Sequence, residues 1–284
     1  MFLGSRAAMP KLSNAVRSRA FKLPGVEDPD DFELKYHHFS VVMNAKARLA
    51  FVAAVNYDAR APFRHTREGS DRWFPDPRVD AASQAGNEFY SDNPLDRGHL
   101  VRRTDAAWGA SEEEAKRAND DTFHFTNCSP QHEVFNQARR AKKADLLLWG
   151  NIEEHVAAQA ATVAGRLSIF NGPVFRSTDR LHRGLAVPRE FWKIVVHVQS
   201  SDNHLSALAF MLSQEGLIAN LPLEDFDVGP YRAYQVKVRE IEARTKLDFG
   251  DLRSHDPLES GDHDPAFEAG SDAIALNSLA DIVI

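Results

Sequence analysis

Five apolar runs limit what this chain can fold into. They are "YHHFSVVMN" (36–44), "RLAFVAAVNYD" (48–58), "LSIFNGPVF" (167–175), "EFWKIVVHVQ" (190–199) and "LSALAFML" (205–212). Each is short, rich in Val, Ile, Leu and Phe, and bordered by polar or turn-forming residues, which is the signature of a β-strand. A sixth stretch, "YQVKVREIEARTKLDF" (234–249), reads as a strand turning into a short helix. Strands this numerous with few helices between them predict an α+β class built on a central mixed or antiparallel sheet flanked by helices. At 284 residues and 43% hydrophobic composition the chain can bury the core of one large domain.

Between the strands the helical signals are sparse. "SEEEAKRAND" (111–120) predicts a short helix with Ser111 as N-cap and acids in its first turn. "DTFHFTN" (121–127) predicts a short strand or extended piece. Residues 133–164 carry the longest helical pattern. Residues 59–95 form a long polar stretch rich in Pro, Asp and Arg, of the kind that carries function inside compact domains. The expected organisation is an N-terminal arm (1–32), a main domain (33–250) and an acidic tail (251–284). The tail reads as a connector followed by an apolar end that packs on the body or on a partner.

The net charge of −7 is unevenly placed, since residues 248–284 hold nine acids and one arginine. The near-neutral body can therefore still carry a basic groove for nucleic acid. Cys128 is the single cysteine, so no internal disulfide forms, and a reducing compartment is the simplest reading. No apolar run approaches the roughly 20 residues that span a bilayer. The first 25 residues lack the apolar block of a secretory signal and carry five basic residues, a weak likeness to a transit peptide. A cytoplasmic location is expected, with organelle targeting or secretion as alternatives, and no membrane partner.

The chemistry gathers at Asp96-Arg97-Gly98-His99. A neutral histidine takes a proton from water at physiological pH. Gly98 permits a tight backbone before the imidazole. Arg97, Arg102 and Arg103 offer charge to a phosphoryl group. Downstream come Asn127, Asn136 and the basic cluster Arg139-Arg140-Ala141-Lys142-Lys143. A magnesium ion prefers oxygen ligands and keeps several waters, so one asparagine oxygen can hold it beside a substrate phosphate. These parts suit phosphodiester cleavage, and the residues alone leave it one hypothesis among several.

The sequence resembles the DNA/RNA non-specific endonucleases, which include secreted bacterial nucleases and mitochondrial endonuclease G. Four blocks carry the resemblance in order: Asp96-Arg97-Gly98-His99, Asn127-Cys128-Ser129-Pro130-Gln131, Asn136-Gln137 after Phe135, and Trp149-Gly150-Asn151-Ile152-Glu153. It covers roughly residues 35–250. The resemblance implies a ββα-metal core, with His99 as general base, Asn136 as the direct protein ligand of Mg2+ (or Mn2+), and Glu153 holding metal-bound water. It implies that Arg97 shapes the site and Asp96 orients the loop. Arg72, in "REGSDRWFPDP" ahead of Trp73-x-x-Asp76, is favoured over Arg67 as a phosphate clamp. Arg102, Arg103, Asn127, Arg139 and Arg140 complete the expected substrate-binding set.

Two departures stand out. The insertion "QARRAKKADLLL" separates Asn136-Gln137 from Trp149, and Ala157 stands where the family pattern has an arginine. They motivate a rival reading as a nucleic-acid-binding or effector module with regulated or little cleavage. A phosphodiesterase for small nucleotides, its groove narrowed by residues 59–95, is a third. Expected partners are DNA and RNA, a homodimer mate and an inhibitor or other regulator. Masking of the groove by the acidic segment 248–284 is one form such restraint takes.

Overall fold

The structure, a computed structural model, describes residues 8–26, 28, 31–66, 71–136, 165–198, 204–218, 232–259, 273–276 and 279–283. Its frame is an eight-stranded sheet of Glu33–Lys35, Phe39–Asn44, Leu49–Asp58, Arg166–Val174, Glu190–Val198, Leu205–Ser213, Arg232–Val236 and Ala273–Leu276. Strands that follow one another in the chain are also neighbours in space, and every pairing is antiparallel. The class is α+β, as the apolar runs predict. The starts of "YHHFSVVMN" and "RLAFVAAVNYD" depart, because His38 and Arg48 take a left-handed backbone and the strands open at Phe39 and Leu49.

The sheet is buried on both faces. Along Glu190–Val198, Phe191 and Val195 pack into one core while Trp192, Ile194 and Val196 pack into the other. The second core is covered by Val16 from the helix Asn14–Arg17 and by Val238 and Ile241 from the helix Val238–Thr245. Ser13 caps the first of these helices, and Lys11–Leu12 pairs with Leu247–Asp248, so the described part of the N-terminal arm is docked on the body. At the far edge Ala273–Leu276 pairs with Arg232–Val236, which makes this piece of the acidic tail a strand of the sheet. Gly172 has a packing reason: a Cβ there would run into the Phe51 carbonyl of the neighbouring strand.

Everything chemical lies in the excursion 59–165, between the strands Leu49–Asp58 and Arg166–Val174. Its described elements are short. The helix Glu112–Asp121 forms as expected, with the Ser111 hydroxyl accepting from the Glu114 N–H. The expected extended piece at 121–127 is instead a 3-10 turn, Phe125–Asn127. The Asn127 side chain bonds nearby backbone and makes that turn stable. Of the long helical pattern 133–164, the described residues hold Glu133–Asn136 as helix, and the rest lies outside them.

Candidate active site

Two strands and one helical turn build the site. Leu95–His99 runs antiparallel to Cys128–His132, with Asp96 opposite Gln131, Gly98 opposite Ser129 and His99 opposite Cys128. The chain passes from His132 straight into the helix Glu133–Asn136. This returns Asn136 to the beginning of the first strand, where its Nδ2 donates to Asp96 Oδ2 at 3.0 Å. Two residues 40 apart in sequence thus meet side by side. Gly98 allows this packing, because a Cβ would collide with the Gln131 side chain.

Three buried amides hold the unit in place. Asn127 is fully buried; its Oδ1 accepts from the Val101 N–H, and its Nδ2 donates to the carbonyls of Val101 and Thr122. The expectation that Asn127 meets substrate is therefore corrected: it clamps the chain just after His99. Gln214, at the end of the strand Leu205–Ser213, accepts from the His132 N–H and donates to the carbonyls of Pro130 and Pro188. Gln84 performs the same service for the 76–84 turn, accepting from the Asp76 N–H and donating to its carbonyl. Neither glutamine sits in a motif, and their burial is what reveals them.

His99 lies in an aromatic corner. Its ring is 4.5 Å from Trp73 and 5.0 Å from Phe123, centroid to centroid. Its Nε2 is buried and makes no hydrogen bond among the described residues. Burial, with a smaller push from the Arg103 guanidinium against a pull from Asp105, lowers the imidazole pKa to about 3. The ring is therefore neutral at physiological pH. Trp73 is held there by its neighbour: the Phe74 N–H donates to the Phe123 carbonyl, and the Phe74 carbonyl accepts from Phe125.

The arginines separate into distinct roles. Arg97 donates to Asn87 Oδ1 at 2.8 Å and lies over the Tyr90 ring. Arg102 grips the buried Asp105 with both Nε and a terminal nitrogen, at 3.0 and 2.7 Å. That ion pair anchors Arg102 to the helix Arg103–Ala106. Arg103 is the arginine whose charge reaches His99. Arg72 is exposed, with its guanidinium over the Phe74 ring at 5.1 Å. Cys128 is buried against the Tyr90 hydroxyl and its thiol pKa is pushed up to about 12, so it stays protonated and serves packing. Glu153, Arg139 and Arg140 lie outside the described residues.

The donor set around Asn136 suits a hydrated hard cation. Asn136 is exposed, its Nδ2 is engaged by Asp96, and its amide oxygen is the atom that can ligate a cation. No cluster of three or more His, Cys, Asp or Glu side chains able to hold a metal occurs among the described residues. A single-oxygen anchor with water in the other positions is the mode that Mg2+ accepts.

The model of the DNA/RNA non-specific endonucleases matches residues 18–255, most of the chain. This chain belongs to that family. It thereby carries an endonuclease domain. Among curated relatives, the uncharacterized protein y4fB of Sinorhizobium fredii is 38% identical over 296 residues, covering 99% of this chain and 41% of that protein. The chain thus spans under half the length of that relative. A nuclease of Nostoc sp. is 26% identical across 78% of this chain and 74% of its own length. Bovine mitochondrial endonuclease G is 23% identical across 53% of this chain and 49% of its own. A crystal structure of the EndoG/EndoGI complex superposes with a TM-score of 0.58 at 18% identity, over 84% of this chain and 91% of that one. The likeness confirms the fold.

Proposed function

We propose that this chain is a metal-dependent, sugar-non-specific endonuclease that hydrolyses phosphodiester bonds of DNA and RNA. The observation that carries the reading is the Asn136–Asp96 contact, which brings the two ends of the ββα unit together on the His99 strand. His99, neutral at working pH, takes a proton from a water molecule. The resulting hydroxide bonds to phosphorus, and the P–O3′ bond breaks with its electron pair on O3′. O3′ takes a proton from solvent, and His99 gives its proton back to solvent, leaving a 3′-hydroxyl and a 5′-phosphate. A bound phosphate diester brings negative charge to the imidazole and stabilises the proton it has taken.

Asn136 would hold Mg2+, with Glu153 supporting its waters. Bound there, the ion would neutralise charge on the phosphate and the departing oxygen. Asp96 orients the Asn136 amide through its hydrogen bond, and Arg103 adds positive charge beside the reacting group. Arg72, whose guanidinium is exposed, would meet a neighbouring phosphate, and Arg139 and Arg140 would add charge for the nucleic-acid backbone. Contacts of this kind fix position and carry no base sequence, which accounts for indifference to sequence. A protein inhibitor is a fitting regulator, since the solved relative is an inhibited complex.

Digestion of plasmid and of RNA, with Mg2+ and with EDTA, tests the reading on wild type, His99→Ala and Asn136→Ala. Metal-dependent cleavage lost in both variants is expected. Folded wild-type protein that binds but does not cut would move the assignment to a binding module, the reading that Ala157 favours by standing where the family pattern has an arginine.

A further inference from the structure

The segment Trp73–Phe74 and the segment Phe123–Phe125 form a small parallel ladder, joined at Phe74 and His124. Side chains on such a ladder alternate between its two faces. Trp73, Phe123 and Phe125 share one face, as their ring contacts show: Trp73 lies 5.4 Å from Phe123 and 6.0 Å from Phe125. His99 leans on that face, touching both Trp73 and Phe123. Phe74 and His124 turn the other way, and Phe74 is exposed. The ladder is thus an aromatic partition with the candidate base on one side.

We propose that Trp73 is a positioning residue for His99: its ring covers one side of the imidazole, fixes its tilt and shields that side from bulk solvent. The inference rests on the assignment of His99 as the base, and it adds a residue through which that base acts. The geometry is specific. Trp73 is partly exposed and covers the imidazole from the long irregular stretch 59–95, while Phe123 and Phe125 are buried behind it. Trp73 is therefore the removable wall. The charged groups that act on His99 are Arg103, which opposes protonation, and Asp105, which favours it. Asp105 is already held by Arg102, so these two contributions are fixed by the helix Arg103–Ala106 and stay in place when Trp73 is changed. Burial is the largest cause of the neutral imidazole, and the Trp73 and Phe123 rings both pack against it, Trp73 from the solvent side.

The test is an NMR titration of the His99 ring in the full chain without metal, on wild type, Trp73→Phe, Trp73→Ala and Trp73→Gln. The pH profile of kcat/KM on one oligonucleotide accompanies it. Trp73→Phe is expected to keep the imidazole neutral to low pH. Trp73→Ala and Trp73→Gln are expected to raise its titration by at least one pH unit and to move the acid limb of the rate by the same amount. If the pKa reaches about 6, cleavage between pH 7 and pH 5 falls roughly tenfold in these variants and stays flat in wild type. Trp73 is partly exposed, so Trp73→Gln places a solvated amide there in place of the ring and remains informative if the alanine variant fails to fold. An imidazole that titrates alike in all four proteins overturns the proposal, as does a Phe variant that shifts as far as Ala. The NMR readout needs no turnover. Absence of cleavage by the wild type would therefore strike the endonuclease reading and leave this test intact.

Discussion

The eight-stranded sheet and the excursion 59–165 are held together by different physics. The sheet is continuous and buried on both faces, and its stability comes from apolar area removed from water. Its strands tolerate no side chain at Gly172. The described part of the excursion has short elements fixed at single points by buried amides, aromatic contacts and ion pairs such as Arg102–Asp105 and Arg78–Asp76. A sheet of this kind spreads any one loss over many contacts. A clamp such as Asn127 concentrates three hydrogen bonds in one side chain, and its removal leaves three buried backbone groups unsatisfied.

That contrast separates activity from stability. The largest expected effect is on activity alone: His99→Ala or Asn136→Ala lowers kcat by about 10²–10⁴-fold with a urea midpoint near wild type. A large stability loss in either variant would make the site part of the frame. Asn127→Ala comes next, costing about 3 kcal/mol or more in urea unfolding and reducing activity through the displaced His99 segment. The two glycines sharpen the comparison. Gly172→Ala is expected to lose about 1–3 kcal/mol, because a fixed backbone carbonyl blocks it. Gly98→Ala meets the side chain of Gln131, next to Asp96, and should lower the rate more than the stability. Equal behaviour of the two would erase the distinction.

The smallest effect is the response to acid. Burial holds His99, His132 and His197 below the ordinary histidine range. The unfolded chain then binds protons that the folded chain does not, so their contribution is complete above about pH 6.5 and is lost as pH falls below it. Asp256, raised to about 6 by burial, works in the opposite sense: its cost to the fold fades as pH drops through that value. His197→Phe should therefore flatten the fall in urea midpoint between pH 7 and pH 5, and Asp256→Asn should steepen it. A slope unchanged from wild type in either variant would contradict the assignment for that residue.

The sheet was legible because burial imposes a pattern on sequence. All five apolar runs are strands, and "YQVKVREIEARTKLDF" breaks into Arg232–Val236 and Val238–Thr245 as expected. In the site, the meeting of Asn136 with the Asp96 strand follows from the ordered motif blocks. The roles of Asn127 and Arg102 did not, because an amide or guanidinium has the same spelling whether it faces a phosphate or a buried backbone. Gln214 and Trp73 were also silent: their importance lies in contacts made across 82 and 26 residues, and no local period records these. The acidic tail shows the same limit. Its strand Ala273–Leu276 belongs to the sheet, so deleting 248–284 would remove an edge strand together with any mask over the groove.

The pairing of Leu49–Asp58 with Arg166–Val174 also has a kinetic meaning. Its outer end is tied by Asp58 and Arg166, 108 residues apart, at 2.8 Å. During synthesis the first three strands emerge early and wait with one long apolar edge open until the whole excursion has followed. Closing so large a loop is slow, and an unpaired edge recruits other chains while it waits. Mutations that hasten folding of the excursion should therefore raise the yield of soluble protein without touching the native stability of the sheet.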